Sequence, residues 1–145
     1  MLDAINRISL TERDREELEK LGVNLQDIQD DNYDYSKVVL RKPWGYEYLI
    51  FSNEEIAVWI LYLKPGDQTS MHCHPNKKTS LVVLEGQVLC TTITERVDRN
   101  AGEGLLIDRG VFHQTTSISE AGAFVMEIET PVNKRDLVRF KDKYG

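Results

Sequence analysis

The sequence predicts an all-β domain of the sandwich or jelly-roll barrel class, preceded by a short helical N-terminal arm. From Val38 onward, short stretches rich in Val, Ile, Thr, Tyr and Trp follow one another, and such residues are typical of strands. Turn signals such as Ser52-Asn53 and Pro65-Gly66 separate these stretches at close spacing, as in sandwiches and barrels. We therefore expect an arm over residues 1–36 and a β domain over residues 37–145.

Seven stretches carry the strand pattern. They are Tyr46–Phe51, Ile56–Leu63, Leu81–Leu84, Val88–Thr94, Gly104–Ile107, Phe112–Ser117 and Ala123–Thr130. The basic end of the chain, residues 133–145, is predicted to form a short closing strand or helix.

The arm carries the start and stop signals of a helix. Thr11 can cap the first turn, Leu18 and Leu21 form a narrow apolar stripe, and Gly22 is a natural stop. A second short turn is predicted from Asn24. Because the stripe is too narrow for an independent domain, we expect the arm to pack on the β domain or on a second subunit.

Composition excludes several function classes. The chain has 145 residues and a net charge of -6, which argues against nucleic acid, because phosphate contact needs a basic face. No apolar run approaches the ~20 residues of a membrane span, and the polar start does not resemble a signal peptide, so we expect a cytoplasmic protein. Cys73 and Cys90 are too few for a disulfide framework and are expected to be reduced, packed thiols; a catalytic Cys73 is the alternative.

The three histidines of the chain suggest a metal site. His72 and His74 are separated by one residue, so in a strand both imidazoles lie on the same side. His113 lies further along the chain. If the fold brings the three rings together, they can hold a divalent transition metal, and zinc, iron, manganese and nickel all accept imidazole.

The spacing of these residues resembles the two sequence motifs of the cupin superfamily. The matching positions are Gly66, His72, His74 and Gly86 in the first motif, and Gly102, Gly110 and His113 in the second. The resemblance implies a double-stranded β-helix (cupin jelly-roll barrel), a metal held by the three histidines, and pairing into a homodimer.

The chain also departs from the cupin motifs. The position of the usual glutamate ligand is held by Thr79, or by Lys78 if the spacing is one residue shorter. Neither side chain is a good ligand for a divalent metal. Three neutral imidazoles would leave the full charge of the ion uncompensated, which favours a strong Lewis acid and an anionic chelating substrate.

A finer resemblance concerns the two ends of the β domain. Residues 42–50, KPWGYEYLI, and residues 136–145, DLVRFKDKYG, are similar to the cupin part of bifunctional bacterial mannose-6-phosphate isomerases. This resemblance implies a metal-dependent, isomerase-like enzyme of carbohydrate metabolism that acts on a small polar or sugar-derived metabolite. A three-histidine iron dioxygenase and a non-catalytic ligand-binding cupin are the alternatives.

Two carboxylates are candidate catalytic bases. Glu127 and Glu129 share one face of a predicted strand, opposite Phe124, Met126 and Ile128. If that face points to the metal, either carboxylate can move a proton of the substrate. The alternative is that the polar face is exposed to solvent.

Four side chains near the histidine motifs are candidate substrate contacts. Gln68 and Gln114 flank the histidine strands and can hydrogen-bond to a substrate, while Arg109 precedes His113 and can bind a phosphate or carboxylate through two hydrogen bonds. Lys78, with its neighbour Lys77, can attract an anionic substrate. Solvated turn residues are the alternative for the charged positions.

Overall fold

The computed structural model describes residues 5–25, 34–132 and 135–140, and these ranges contain twelve strands and one helix. The strands are β1 (Ile5–Ile8), β2 (Val39–Lys42), β3 (Gly45–Ser52), β4 (Ala57–Leu63), β5 (His72–Cys73), β6 (Lys78–Glu85), β7 (Gln87–Thr92), β8 (Arg96–Asn100), β9 (Gly104–Ile107), β10 (His113–Ser117), β11 (Ala123–Thr130) and β12 (Val138–Arg139). The helix is α1 (Glu12–Lys20). No helix within the described ranges is long and apolar enough to cross a membrane.

The strands form two sheets around one core. The seven-stranded sheet has the order β1-β9-β6-β11-β4-β3-β2, and the five-stranded sheet has the order β12-β5-β10-β7-β8. Side chains alternate between buried and partly exposed along β6, β7, β10 and β11, which is the period of two that strands impose. The buried sets meet between the sheets, where Trp59, Leu63 and Val125 belong to the main hydrophobic cluster. This architecture is the predicted jelly-roll barrel.

All seven predicted strands are present, with ends that differ by three residues at most. The strands β1, β2, β5, β8 and β12 lie outside the seven predicted stretches, although the spacing of His72 and His74 had suggested a strand at β5. The strand β8 has the sequence RVDRN, and its burial alternates only between exposed and partly buried residues, so it has no hydrophobic signal. It pairs with β7 at the edge of its sheet through backbone hydrogen bonds.

The N-terminal arm belongs to the same body as the barrel. Thr11 caps α1 in a capping box with Asp14, and Gly22 follows the helix with a positive φ of 67°, as predicted. Leu18 is buried in the cluster that contains Phe112, so the apolar stripe packs on the β domain. Residues 5–8 were expected to be helical, but β1 pairs in parallel with β9. The second turn predicted from Asn24 extends into residues 26–33, which lie outside the described residues.

Candidate metal centre

The three histidines converge at one place between the strands. β5 and β10 are antiparallel neighbours, and His72 lies directly opposite His113. The ring centroid of His72 is 4.8 Å from that of His74 and 4.6 Å from that of His113. One potential ligand atom from each ring lies within 4.8 Å of the others. Three atoms so arranged fit on or within a circle of about 2.8 Å radius, so one ion can lie within that distance of all three. Metal–imidazole bonds of ~2.1 Å would need only a small inward movement of the rings.

Hydrogen bonds fix the orientation of each imidazole ring. The Nδ1 atom of each histidine lies within hydrogen-bond distance of a backbone carbonyl oxygen, which can only accept a proton. The pairs are His72 with Ser70 at 2.6 Å, His74 with Asp136 at 2.6 Å, and His113 with Val111 at 3.0 Å. Each Nδ1 therefore donates its hydrogen, which leaves Nε2 as the atom with a lone pair for a metal.

The nitrogen atoms of the site suit a cation. Nε2 of His74 is buried and has no hydrogen-bond partner among the described residues. Such a buried polar atom is costly unless something binds it, and a divalent ion would do so. The donor set of three imidazoles fits a transition metal better than magnesium or calcium, which prefer oxygen. No carboxylate of the described residues joins this three-histidine group.

Two of the histidines, His74 and His113, are neutral at physiological pH. Burial lowers the pKa of His113 to about 4, and the nearby charge of Lys77 acts in the same direction. Burial also lowers the pKa of His74 well below its ordinary value, with further contributions from Lys77 and the other two histidines. A neutral imidazole is the form that binds a metal, so ligand protonation does not compete with the ion near pH 7.

The C-terminal segment holds His74 in place through Asp136. The carbonyl of Asp136 accepts the hydrogen of His74 Nδ1, as described above. Its buried carboxylate accepts hydrogen bonds from the backbone N–H groups of Asn76 and Lys77, at 2.9 Å each, and from the Asn76 side chain at 3.1 Å. This role leaves no signal in the sequence, because Asp136 lies more than 60 positions from the histidine that it supports.

The N-terminal helix holds the loop that leads to His113. The buried carboxylate of Asp14 accepts a hydrogen bond of 2.8 Å from the backbone N–H of Phe112. In the same loop, Gly110 has a φ of +77°, and a Cβ atom there would lie 2.7 to 3.0 Å from leucine side chains of the N-terminal segment. Glycine adopts this positive φ without strain, and any side chain here would also displace the neighbouring leucines.

Cys73 lies on the opposite face of β5 from the two histidines. It is fully buried in the cluster with Leu18 and Phe112, and burial raises the pKa of its thiol to about 12. Because a thiol with such a pKa is protonated at neutral pH, it is a poor nucleophile and a poor metal ligand. The interpretation of Cys73 as a packed thiol therefore fits its surroundings.

A cavity of about 700 Å³ opens onto His72 and His74. Three of the predicted catalytic and substrate residues line it, namely Gln68, Gln114 and Glu127. Its other polar lining residues are Tyr35, Lys42, Glu47, Thr69, Ser70, Lys77 and Arg139. The cavity has the size expected of a site for a small molecule.

The two candidate carboxylates have different surroundings. Both Glu127 and Glu129 face the interior, on the buried side of β11, so the alternative of a solvent-facing pair is wrong. Glu127 lines the cavity. Glu129 lies behind it, fully buried, where it accepts a hydrogen bond of 3.0 Å from Trp59 Nε1 and pairs with the ammonium group of Lys77. The prediction of Glu129 as a base is corrected accordingly, because both of its oxygens are already bound to protein groups.

Two of the predicted substrate contacts lie away from the cavity. Arg109 is exposed in the turn between β9 and β10, and Lys78 is exposed at the start of β6; neither lines the cavity. Alternation explains the second case, because Thr79 occupies the buried side of β6. Lys77, one residue earlier, is the lysine that reaches the interior, where 2% of its surface is exposed.

The comparisons with known proteins identify the fold family. Residues 59–129 match the model of the Cupin domain family, and these residues include all three histidines. This part of the chain is a cupin domain. A solved RmlC-like cupin from Shewanella frigidimarina has a TM-score of 0.60 with 15% identity, and the alignment covers 73% of this chain and 96% of that one.

Sugar-related proteins are among those similar to this cupin. Mannose-1-phosphate guanylyltransferase ManC of Salmonella typhimurium is 26% identical over 106 residues, which cover 72% of this chain but only 22% of that protein. A sugar phosphate isomerase of the cupin superfamily from Silicibacter pomeroyi has a TM-score of 0.54 with 18% identity, covering 60% of this chain and 59% of that one. The second likeness concerns the fold alone.

The buried neutral histidine at position 113 predicts a loss of stability in acid. The folded protein keeps this imidazole neutral down to a pH of about 4, whereas the unfolded chain binds a proton below about 6.5. Stability is therefore fully present above pH 6.5 and falls as the pH drops towards 4, by about 2 kcal/mol between pH 7.5 and pH 5.

Urea unfolding with a chelator present, followed at several pH values, measures this effect. The variant His113→Gln should lose less stability than the wild type over the same range, because it lacks the titrating group. Equal pH dependence of the two proteins would show that His113 does not carry the effect.

Proposed function

We propose that this cupin is a metal-dependent enzyme of carbohydrate metabolism, which acts on a small sugar-derived metabolite in an isomerase-like reaction. The supporting observation is the convergence of three imidazoles beside a cavity that also contains a carboxylate, Glu127. His72, His74 and His113 are the proposed ligands. When bound, the metal would polarise a carbonyl oxygen of the substrate and lower the pKa of the adjacent C–H group.

The residues around the metal would transfer the proton and bind the substrate. Glu127 would accept the proton from the carbon next to the polarised carbonyl and return it to the neighbouring carbon. Gln68 and Gln114 would bind hydroxyl groups of the substrate. The sugar relation rests on the similarity to ManC, whose name refers to mannose 1-phosphate, and this chain spans less than a quarter of that protein.

One observation supports the alternative of an iron dioxygenase. No carboxylate of the described residues belongs to the three-histidine group, so an ion there would keep its full charge and several open coordination positions. Ferrous iron with open positions can bind a substrate and dioxygen together. Uptake of oxygen by the iron-loaded protein, in the presence of thiols or diketones, would distinguish this reaction from isomerisation.

We also propose that the protein is a cytoplasmic homodimer. The outer face of the seven-stranded sheet carries a row of aromatic rings across three strands. The ring centroid of Tyr62 lies 5.2 Å from that of Tyr46 and 4.9 Å from that of Phe124. Val39 and Phe51, at one side of this sheet, are 59% and 52% exposed. A second copy of the chain would remove this apolar surface from water.

Metal analysis tests the proposed ligands. Protein purified without an affinity tag should contain close to one equivalent of a transition metal, and His72→Ala should lose most of it, because two imidazoles bind a metal far less tightly than three. Gln114→Ala, which changes a residue beside His113 that is not a ligand, is the control and should retain the metal. A wild-type protein without metal, or a metal-loaded His72→Ala, would contradict the proposal.

Replacement of Glu127 tests the proposed base. With sugar phosphates in D₂O, proton NMR would follow the loss of the C–H signal next to the carbonyl. Glu127→Gln should slow this exchange by about 100-fold or more while metal content stays unchanged. Glu47→Gln is the matched control, since Glu47 lines the same cavity but forms an ion pair with Lys42 at 3.6 Å. Equal rates in Glu127→Gln and the wild type would eliminate Glu127 as the base.

Light scattering tests the homodimer. We expect a mass of two chains at micromolar concentration, and Phe51→Glu should shift it towards one chain because the substitution places a charge on the proposed contact face. The control is Ile118→Glu, because Ile118 is exposed to a similar degree, 45% against 52% for Phe51, but follows β10 in the other sheet. A monomeric wild type would contradict the dimer.

A further inference from the structure

The structure places an arginine beside the metal centre that was not among the predicted site residues. Arg139 lies on β12, which pairs with β5, and it is directly opposite His72 in that antiparallel pair. Residues in this relation have their side chains on the same face, with Cβ atoms ~4.5–5.5 Å apart. Arg139 indeed lines the cavity that opens onto His72 and His74, whereas its neighbour Val138 packs in the hydrophobic cluster on the other face.

Arg139 differs from the other cations of the cavity in its partners. Lys42 pairs with Glu47 at 3.6 Å, and Lys77 pairs with Glu129. The guanidinium group of Arg139 has no hydrogen-bond or ion-pair partner among the described residues. Its exposed position at the mouth of the cavity leaves all five N–H donors available to a bound molecule.

The charge balance of the cavity also favours an anionic ligand. The charged side chains that line the cavity are three positive and two negative, namely Lys42, Lys77 and Arg139 against Glu47 and Glu127. A divalent ion on three neutral imidazoles adds two positive charges that no carboxylate ligand reduces, so a substrate with its own negative charge would neutralise part of the excess.

We propose that Arg139 is the specificity-determining residue of this site and binds the carboxylate or phosphate group of an anionic sugar derivative. This inference rests on the proposed function, in that the same cavity holds the reacting part of the molecule at the metal. The substrate class is then a sugar acid or a sugar phosphate rather than a neutral sugar. Arginine suits this role because its planar group binds such anions through two parallel hydrogen bonds.

Calorimetric binding tests the proposal with three probes: D-glucuronate, D-glucose 6-phosphate and D-glucose. The wild-type protein, loaded with one equivalent of zinc, should bind at least one of the two anionic probes tenfold or more tightly than glucose. The anionic probe that binds more tightly tells whether the site takes a carboxylate or a phosphate. Arg139→Gln should abolish the preference over glucose, and Arg139→Lys should keep only part of it.

Arg109→Gln is the matched control, because it removes the same charge from an exposed arginine outside the cavity. It should bind the anionic probes as the wild type does. Equal zinc content and equal thermal unfolding midpoints of all variants would exclude damage to the metal centre or to the fold. The proposal is overturned if the wild type shows no preference for anions, if Arg139→Gln keeps it, or if Arg109→Gln loses it equally.

The same titrations on metal-free protein separate this proposal from the proposed function. If the protein retains no metal but still prefers anions through Arg139, the metal-dependent function fails and the role of Arg139 stands. If the protein retains metal at the three histidines but shows no Arg139-dependent preference, the role of Arg139 fails and the metal-dependent function is unaffected.

Discussion

The metal centre depends on the antiparallel pairing of β5 with β10. This short pairing places His72 opposite His113, although the two residues are about forty positions apart in the sequence. Alternation along the extended chain then brings His74 to the same side and sends Cys73 to the other. Because the ring centroids of the three histidines lie within 5.5 Å of each other, any slip of one residue in this register would exchange histidine for a neighbour and destroy the site.

An N-terminal and a C-terminal segment both stabilise this register. Helix α1 has only nine residues, too few for stability in isolation, so its packing on the barrel and the hydrogen bond from Phe112 to Asp14 form together. At the other end, β12 pairs with β5, and Asp136 holds both His74 and the backbone that follows it. Both α1 and the segment from Asp136 to β12 thus hold the histidines in place. This explains why the N-terminal arm packs on the barrel rather than forming a separate unit.

The buried pair of Lys77, which lines the cavity, and Glu129, which lies behind it, limits which carboxylate can act as a base. Both side chains are almost fully buried, and removal of one partner from such a pair typically costs about 3–5 kcal/mol. Glu129 therefore stabilises the barrel beneath the histidines, while Glu127, two residues earlier on the same face, borders the cavity. The positive charge of Lys77 also lowers the pKa of His74 and His113 and so helps to keep both neutral. This lysine belongs to neither histidine motif.

The sequence by itself determined the class of fold, the positions of the hydrophobic strands and the three histidines, because these follow from local periodicity and fixed spacing. It could not separate Glu127 from Glu129, since both share one face and differ only in what other strands bring near them. It favoured Arg109 and Lys78, which are close to the histidines in the chain but are exposed and do not line the cavity. Only the tertiary structure decided that Asp136 and Arg139 border the centre and that Lys77, rather than Lys78, reaches the interior, because strand pairing over distances of fifty to seventy residues leaves no local pattern.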